Sequence, residues 1–178
     1  MCKVKKILLL SLVALLFIPI EGRCKKIDKK KYLVEWANYE VSTVAVGQNG
    51  TKHLKVWGFG KNVDKAIEQA KKNAVHACLF RGIPGSANAR ATPAIFSNQG
   101  NGQVAIDNFE YFYNFFEDAK EYLSFINITT DGVPSGQDRR EVKKGYKVGL
   151  YVQVMYDNLR EKMKRDGILK QGSSGFSY

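Results

Sequence analysis

Residues 62–81 place a small side chain at every fourth position, Ala66, Ala70, Ala74 and Cys78. On an α-helix that spacing lines the four up as one stripe. Ile67, Val75 and Leu79 flank the stripe, while Lys65, Glu68, Lys71 and Lys72 take the other side. A helix with so little bulk on its inner face can approach its neighbour closely, and a β-sheet is flat enough to accept it. Asn62 supplies an N-cap, Gly82 a C-terminal stop, and Pro84 blocks continuation. The spacing predicts a long helix laid on a sheet, and the rest of the chain has to supply that sheet.

Strand signals lie on both sides of the helix. Val34, Tyr39, Val41, Val44 and Val46 suggest one long or bent strand over residues 32–46, and residues 51–59 suggest a second. Gln48-Asn49-Gly50 joins them as a hairpin turn, because Asn-Gly readily adopts the positive φ such turns require. The clearest strand is residues 142–156, where Tyr146, Val148, Leu150, Val152 and Val154 alternate with Lys147, Gly149, Tyr151 and Gln153. Residues 126–130 begin a shorter strand that Asp131-Gly132 turns away. Asp157 is placed to cap a last helix carrying Leu159 and Met163 and ending at Gly167, with a loose tail over residues 170–178. The fold expected is α+β: one domain over residues 32–169, an antiparallel sheet with the alanine-rich helix packed on one face and further helices.

Residues 83–108 are rich in Gly, Ala, Asn and Ser and are expected as a long loop, a feature that in compact domains is usually functional or disordered. An aromatic segment follows, expected as a helix over residues 109–126 capped by Asp107 or Asn108. Its rings surround the helix instead of forming one stripe. Tyr111, Tyr113, Phe116 and Tyr122 are the candidate interaction surface, but the favoured reading is a helix buried beneath the loop, because a helix apolar all round is usually buried.

The amino-terminal end carries an address. Lys3, Lys5 and Lys6 precede an apolar run over residues 7–20. The run is shorter than the roughly 20 residues that span a bilayer, and Pro19 interrupts it, so residues 1–22 are expected to be a cleaved signal peptide. Cleavage removes those three lysines and Glu21, a net of +2, which takes the charge from +11 to +9. Residues 23–31 form a basic leader with Lys25, Lys26, Lys29, Lys30 and Lys31. Cys24 and Cys78 are the candidate disulfide or lipid sites: Cys24 stands where a lipoprotein would be modified, although Arg23 is a poor neighbour for that processing, and Cys78 also fits a small buried apolar position.

No familiar catalytic or metal-binding spacing occurs. His53 lies on an expected strand and His76 on the helix, with no G-x-S-x-G elbow, no H-E-x-x-H and no paired C-x-x-C. His76 and Cys78 are two residues apart and point away from each other on a helix. Gly58-Phe59-Gly60 lacks the third glycine of a dinucleotide fingerprint, with Val63 in its place, and fits a tight strand-to-helix connection. Asp138 and Glu141 lie among Arg139, Arg140, Lys143 and Lys144 as an ion-pair cluster. Asn49-Gly50-Thr51 and Asn127-Ile128-Thr129 have the glycosylation acceptor pattern. No cofactor is expected. Outside the cytoplasm a basic face meets an envelope protein or an anionic surface more often than nucleic acid, and membrane association can come through Cys24 or the leader.

Val56-x-Gly58-x-Gly60 before the alanine helix, Gly145-Tyr146-x-Val148-x-Leu150-x-Val152-x-Val154 and the closing helix through Leu159 to Gly167-Ile168 together resemble the Lpp-twenty-like exported lipoproteins and the amino-terminal domain of flagellar assembly protein T. The resemblance covers the two ends of the expected domain and leaves residues 83–125 unmatched. It implies an envelope or assembly component without catalytic residues. The expected function is thus an exported non-catalytic protein of the envelope or extracellular space with an assembly or interaction role. The alternative is an exported ligand-binding protein or enzyme with its site in residues 83–125. Intact mass and N-terminal analysis of the protein from its native host should show a chain starting after Gly22 with no acyl group on Cys24; retention of residues 1–22 or an acylated Cys24 would overturn the expectation.

Overall fold

The computed structural model describes residues 32, 36, 38–48 and 50–170. The expectations for the signal peptide, the basic leader with Cys24, Asn49 and residues 171–178 lie outside the described residues. Within them, the fold is α+β. Five antiparallel strands, β1 (Val41–Val46), β2 (Thr51–Gly60), β3 (Ile126–Ile128), β4 (Arg139–Val142) and β5 (Gly145–Met155), form a sheet in the order β1-β2-β5-β3, with β4 also on β5. The β2–β5 ladder is its axis and pairs ten positions, from Thr51↔Met155 to Gly60↔Tyr146. β3 and β4 share the far edge of β5, at Val152–Val154 and Gly145–Val148 respectively.

Helix α1 (Val63–His76) crosses β2 and β5 and runs into a wider π-helical turn, Ala77–Arg81. The Asn62 side chain accepts from Lys65 N at 2.9 Å, and Gly82, at φ 81, ends the helix. Ala66, Ala70, Ala74 and Cys78 are all fully buried. Opposite Ala66 and Ala70 strand β2 carries glycine: a methyl group at Gly58 would lie 2.2 Å from the Ala66 carbonyl oxygen and 2.4 Å from the Ala70 nitrogen, and one at Gly60 2.3 Å from the Ala66 nitrogen. Gly58-x-Gly60 is therefore the seat of the helix and belongs to strand β2 itself.

Several expected boundaries move, each for a tertiary reason. The strand expected over residues 32–46 is confined to β1, because Tyr32 and Trp36 are helical and Trp36 and Tyr39 are buried in the core that includes α1. Burial of large rings outweighs the β-propensity of that segment. The expected loop over residues 83–108 contains a narrow turn bridged at Ile83↔Thr92 and Ser86↔Ala89, then helix α2 (Asn101–Asp107), which buries Val104 and Ala105. The single helix expected over residues 109–126 is broken: α3 (Phe109–Tyr113) opens into a π-helical turn, Asn114–Asp118, and after Lys120, at φ 52, the chain forms a 3₁₀ segment, Glu121–Phe125. A straight helix cannot turn all its rings inward. The break lets Phe109, Phe112, Phe115, Phe116 and Tyr122 be buried together.

Asn108 precedes α3 without capping it; its side-chain amide donates to the Val104 carbonyl at 3.0 Å. Val142 belongs to β4, not β5, and Lys143-Lys144 form a two-residue turn to Gly145. The last helix, α4 (Tyr156–Arg165), starts one residue before Asp157, which lies in its first turn and does not cap it. Leu159 and Met163 are fully buried, and Gly167, at φ 74, turns the chain so that Ile168 N reaches the Met163 carbonyl at 3.0 Å.

The contact between α1 and the sheet has no slack for added volume. Ala70→Leu and Gly58→Ala should each destabilise the protein by about 1 to 3 kcal/mol through overpacking. Denaturant unfolding checks this, and unchanged midpoints would remove the close-approach account.

Candidate interaction surface

Alternation along β2 and β5 sorts the side chains between two faces. Leu54, Val56, Val148, Leu150, Val152 and Val154 are buried on the side of α1. Lys55, Trp57, Phe59, Lys147, Gly149 and Tyr151 are on the other side, in three cross-strand pairs: Lys55↔Tyr151, Trp57↔Gly149 and Phe59↔Lys147. Each pair sets an aromatic ring beside a cation or a glycine. Gly149 matters here because a methyl group at that position would lie 3.2 Å from the Trp57 ring, so its absence lets the indole extend over β5.

Cations surround that indole. Lys147 Nζ is 4.8 Å from the Trp57 ring centre, Lys55 Nζ 5.5 Å and Arg140 Cζ 5.9 Å. Lys55 also sits 4.8 Å over Tyr151, and Lys147 5.5 Å over Phe59. Two carboxylates complete the array, with Asp138 2.6 Å from Lys55 and Glu40 2.6 Å from Lys147. The Asp138 carboxylate, then the neighbouring Tyr151, holds the Lys55 ammonium above its ordinary pKa, so it stays charged at physiological pH. Phe59 is 47% exposed, and Trp57 and Tyr151 are partly exposed. The face thus offers rings, fixed cations and carboxylates side by side.

A second polar cluster lies on the helix side. Asn73 Oδ1 accepts from Trp36 Nε1 at 3.0 Å and from Gln69 Nε2 at 2.9 Å, while Asn73 Nδ2 donates to the Trp57 carbonyl at 2.9 Å. Buried Lys72 donates to Glu117 at 2.6 Å, and Tyr32 donates to the same carboxylate at 2.6 Å. Tyr32, Trp36, Asn38, Phe59, Gln69, Asn73 and Glu117 border a cleft of about 310 Å³. An open hollow of about 510 Å³ lies against Arg81 and the base of the 83–92 turn. Lys72, expected on the polar side of the helix, is instead buried beside Glu117, and Asn73 gave no signal in the sequence, since a polar residue at the margin of a helical stripe looks like any solvated position.

Of the four aromatic residues named as a candidate interaction surface, Phe116 and Tyr122 have no accessible surface, as the buried-helix reading expects, so neither ring can meet a partner on this fold. Tyr111 is partly exposed, with its hydroxyl donating to the Asp166 carboxylate, and Tyr113 is partly exposed and stacked on Phe109 at 5.8 Å. None of the four borders either hollow. Cys78 is fully buried, and burial pushes its thiol up to about 12, which makes the thiolate scarce at neutral pH; Cys24 lies outside the described residues.

The two histidines are held apart. His53 pairs across from Gln153 on the sheet, whereas the His76 ring lies 4.9 Å from Trp36, stacked, and 5.1 Å from Phe80. Asp138 is paired with Lys55 of β2, not with a cation of the 139–144 stretch expected to hold its partner. Among the described residues no group of three or more His, Cys, Asp or Glu has a metal-binding arrangement, and no helix is long and apolar enough to cross a membrane. Against protein families, curated proteins and solved structures, the chain has no match in any of the three comparisons.

His76 links this cluster to pH. Tyr39 Oη lies 2.8 Å from its Nδ1, and burial, then the Arg81 charge, push its pKa down from 6.5 to about 3. Between those values the unfolded chain binds a proton that the folded chain refuses, so this contribution is complete above pH 6.5 and is lost as pH falls towards 3. The slope should approach about 1.4 kcal/mol per pH unit. Unfolding of wild type and His76→Gln, followed from pH 7 to pH 4, should show a shallower acid loss in the variant; parallel curves would count against a buried neutral imidazole.

Proposed function

We propose that this protein is an exported, non-catalytic component of the envelope or extracellular space that works by binding, with the outer face of the β2–β5 ladder as its contact surface. The observation that carries the reading is the Trp57 indole spread over Gly149 with Lys55, Lys147 and Arg140 around it. Aromatic and arginine side chains are the residues that anchor interfaces, because they bury large areas at low entropic cost and still offer polar or charged groups. Burial of the other sheet face under α1 leaves this face as the side on which β2 and β5 can meet a partner.

The lysines and apolar run of residues 1–20 support export. The resemblance to the Lpp-twenty-like lipoproteins and the flagellar assembly protein T domain supports an assembly role; its Gly58, Gly60 and alanine positions are those that seat α1 on the sheet. An acidic or anionic partner in the envelope suits the charge of the face.

The test is co-sedimentation of the purified protein with envelope material from its native host. Lys55→Glu combined with Lys147→Glu should reduce association at least tenfold with the circular dichroism spectrum retained. Arg160→Glu combined with Arg165→Glu, the same charge change on exposed positions of α4, should leave it within twofold. Equal losses in the two pairs, or none in the first, would overturn the reading.

A further inference from the structure

We infer that the outer face of the sheet binds an acidic polysaccharide, a chain of sugars carrying carboxylates or sulfates. This rests on the reading of that face as the contact surface. A sugar ring has two kinds of surface, C–H faces and a rim of hydroxyls, and an acidic sugar adds an anion. The face supplies a counterpart for each. The negative π-faces of Trp57 and Tyr151 attract C–H groups as they attract cations. The pair Lys147–Glu40, at 2.6 Å with the Glu40 side chain 67% exposed, places a donor next to an acceptor, as hydroxyl groups require. Arg140 is exposed and its guanidinium can take a carboxylate or sulfate in two parallel hydrogen bonds.

The arrangement also has the right extent. The three cross-strand pairs occupy successive outward positions of β2 and β5. Outward positions on one strand are about 7 Å apart, so the rows make a ladder able to follow a short run of rings. Phe59 at one end is the most exposed ring of the three.

Hydroxyl groups separate this ligand from a DNA strand. A nucleic acid carries a phosphate at every nucleotide, and its affinity comes from neutralising many of them. Here Lys147 stands beside Glu40, an acceptor that a phosphate backbone without donors has no use for and a sugar hydroxyl does. An acidic polysaccharide presents such hydroxyls on every ring beside its anions. A lipid headgroup layer would favour exposed apolar side chains able to enter it, and of the three rings only Phe59 is exposed by that standard.

Affinity electrophoresis and titration calorimetry of the full protein test this with polygalacturonate as the probe and neutral dextran, a single-stranded DNA oligonucleotide and phosphatidylglycerol vesicles as comparators. Polygalacturonate should bind at least tenfold more tightly than each comparator at physiological salt. Trp57→Ala should weaken it at least tenfold and Trp57→Phe less. Lys147→Gln with Arg140→Gln, changes on partly or fully exposed positions, should also weaken it at least tenfold, which keeps the test decisive should the Trp57 variants fail to fold. Tighter binding of DNA or vesicles, or binding to polygalacturonate that ignores these substitutions, overturns the inference. So does an absence of polygalacturonate binding. If envelope association still depends on Lys55 and Lys147 in that case, the contact-surface reading stands and only its ligand class falls; if that dependence is absent too, both fall.

Discussion

Backbone meets backbone where α1 crosses β2. Ala66 and Ala70 present only methyl groups, Gly58 and Gly60 present none, and the helix settles until atoms of its main chain nearly touch the strand. Two consequences follow from that depth. The Leu54, Val56, Leu150 and Val152 side chains around the contact are sealed from water, which is the main source of stability in a domain of this size. The polar side of the helix is also lowered into reach of its surroundings, so that Asn73 can satisfy the Trp57 carbonyl just beyond the end of β1 and still accept from Trp36.

A second layer closes over the back of α1. Trp36, His76, Phe80, Phe96 and Phe112 contact one another edge to face or stacked, and Phe115, Phe116 and Tyr122 extend the array towards α4. Such ring pairs add about 0.5 to 1.5 kcal/mol each beyond the area they bury. Within the layer Lys72 is paired with Glu117 and His76 with the Tyr39 hydroxyl, whereas the buried Tyr122 hydroxyl has no hydrogen-bond partner among the described residues. Holding His76 neutral is the electrostatic cost of that burial. The same burial makes Cys78 a packing residue in chemical terms, since its thiol is hard to ionise.

With one face of the sheet given over to α1, the alternation of β2 and β5 sends Lys55, Trp57, Phe59, Lys147 and Tyr151 outward together. Pairing across the ladder, not sequence proximity, is what puts Trp57 beside Gly149 and Lys55 beside Tyr151. Individual ion pairs at such exposure contribute little to stability. Their effect is to fix where charge sits: Asp138 and Glu40 hold Lys55 and Lys147 against the ring faces, so the surface is ordered before any partner arrives, which lowers the entropy that binding has to overcome.

Signals with a local period were legible in the chain itself. The four-residue spacing of Ala66 to Cys78, the two-residue alternation of Val148 to Val154, the Gly50 turn and the Asn62 cap each depend on a few neighbouring residues, and the helix, its two main strands and their α+β packing followed from them. Tertiary contact decided the rest. It turned Tyr32 and Trp36 away from the sheet, broke the aromatic segment at Lys120 so that Tyr122 could be buried, and split β4 from β5 at Lys143-Lys144. It also buried Phe116 and Tyr122 while leaving Trp57, Phe59 and Tyr151 on the outer side of the sheet. Which ring is buried and which is exposed depends on what another part of the chain places over it, and no local period carries that information.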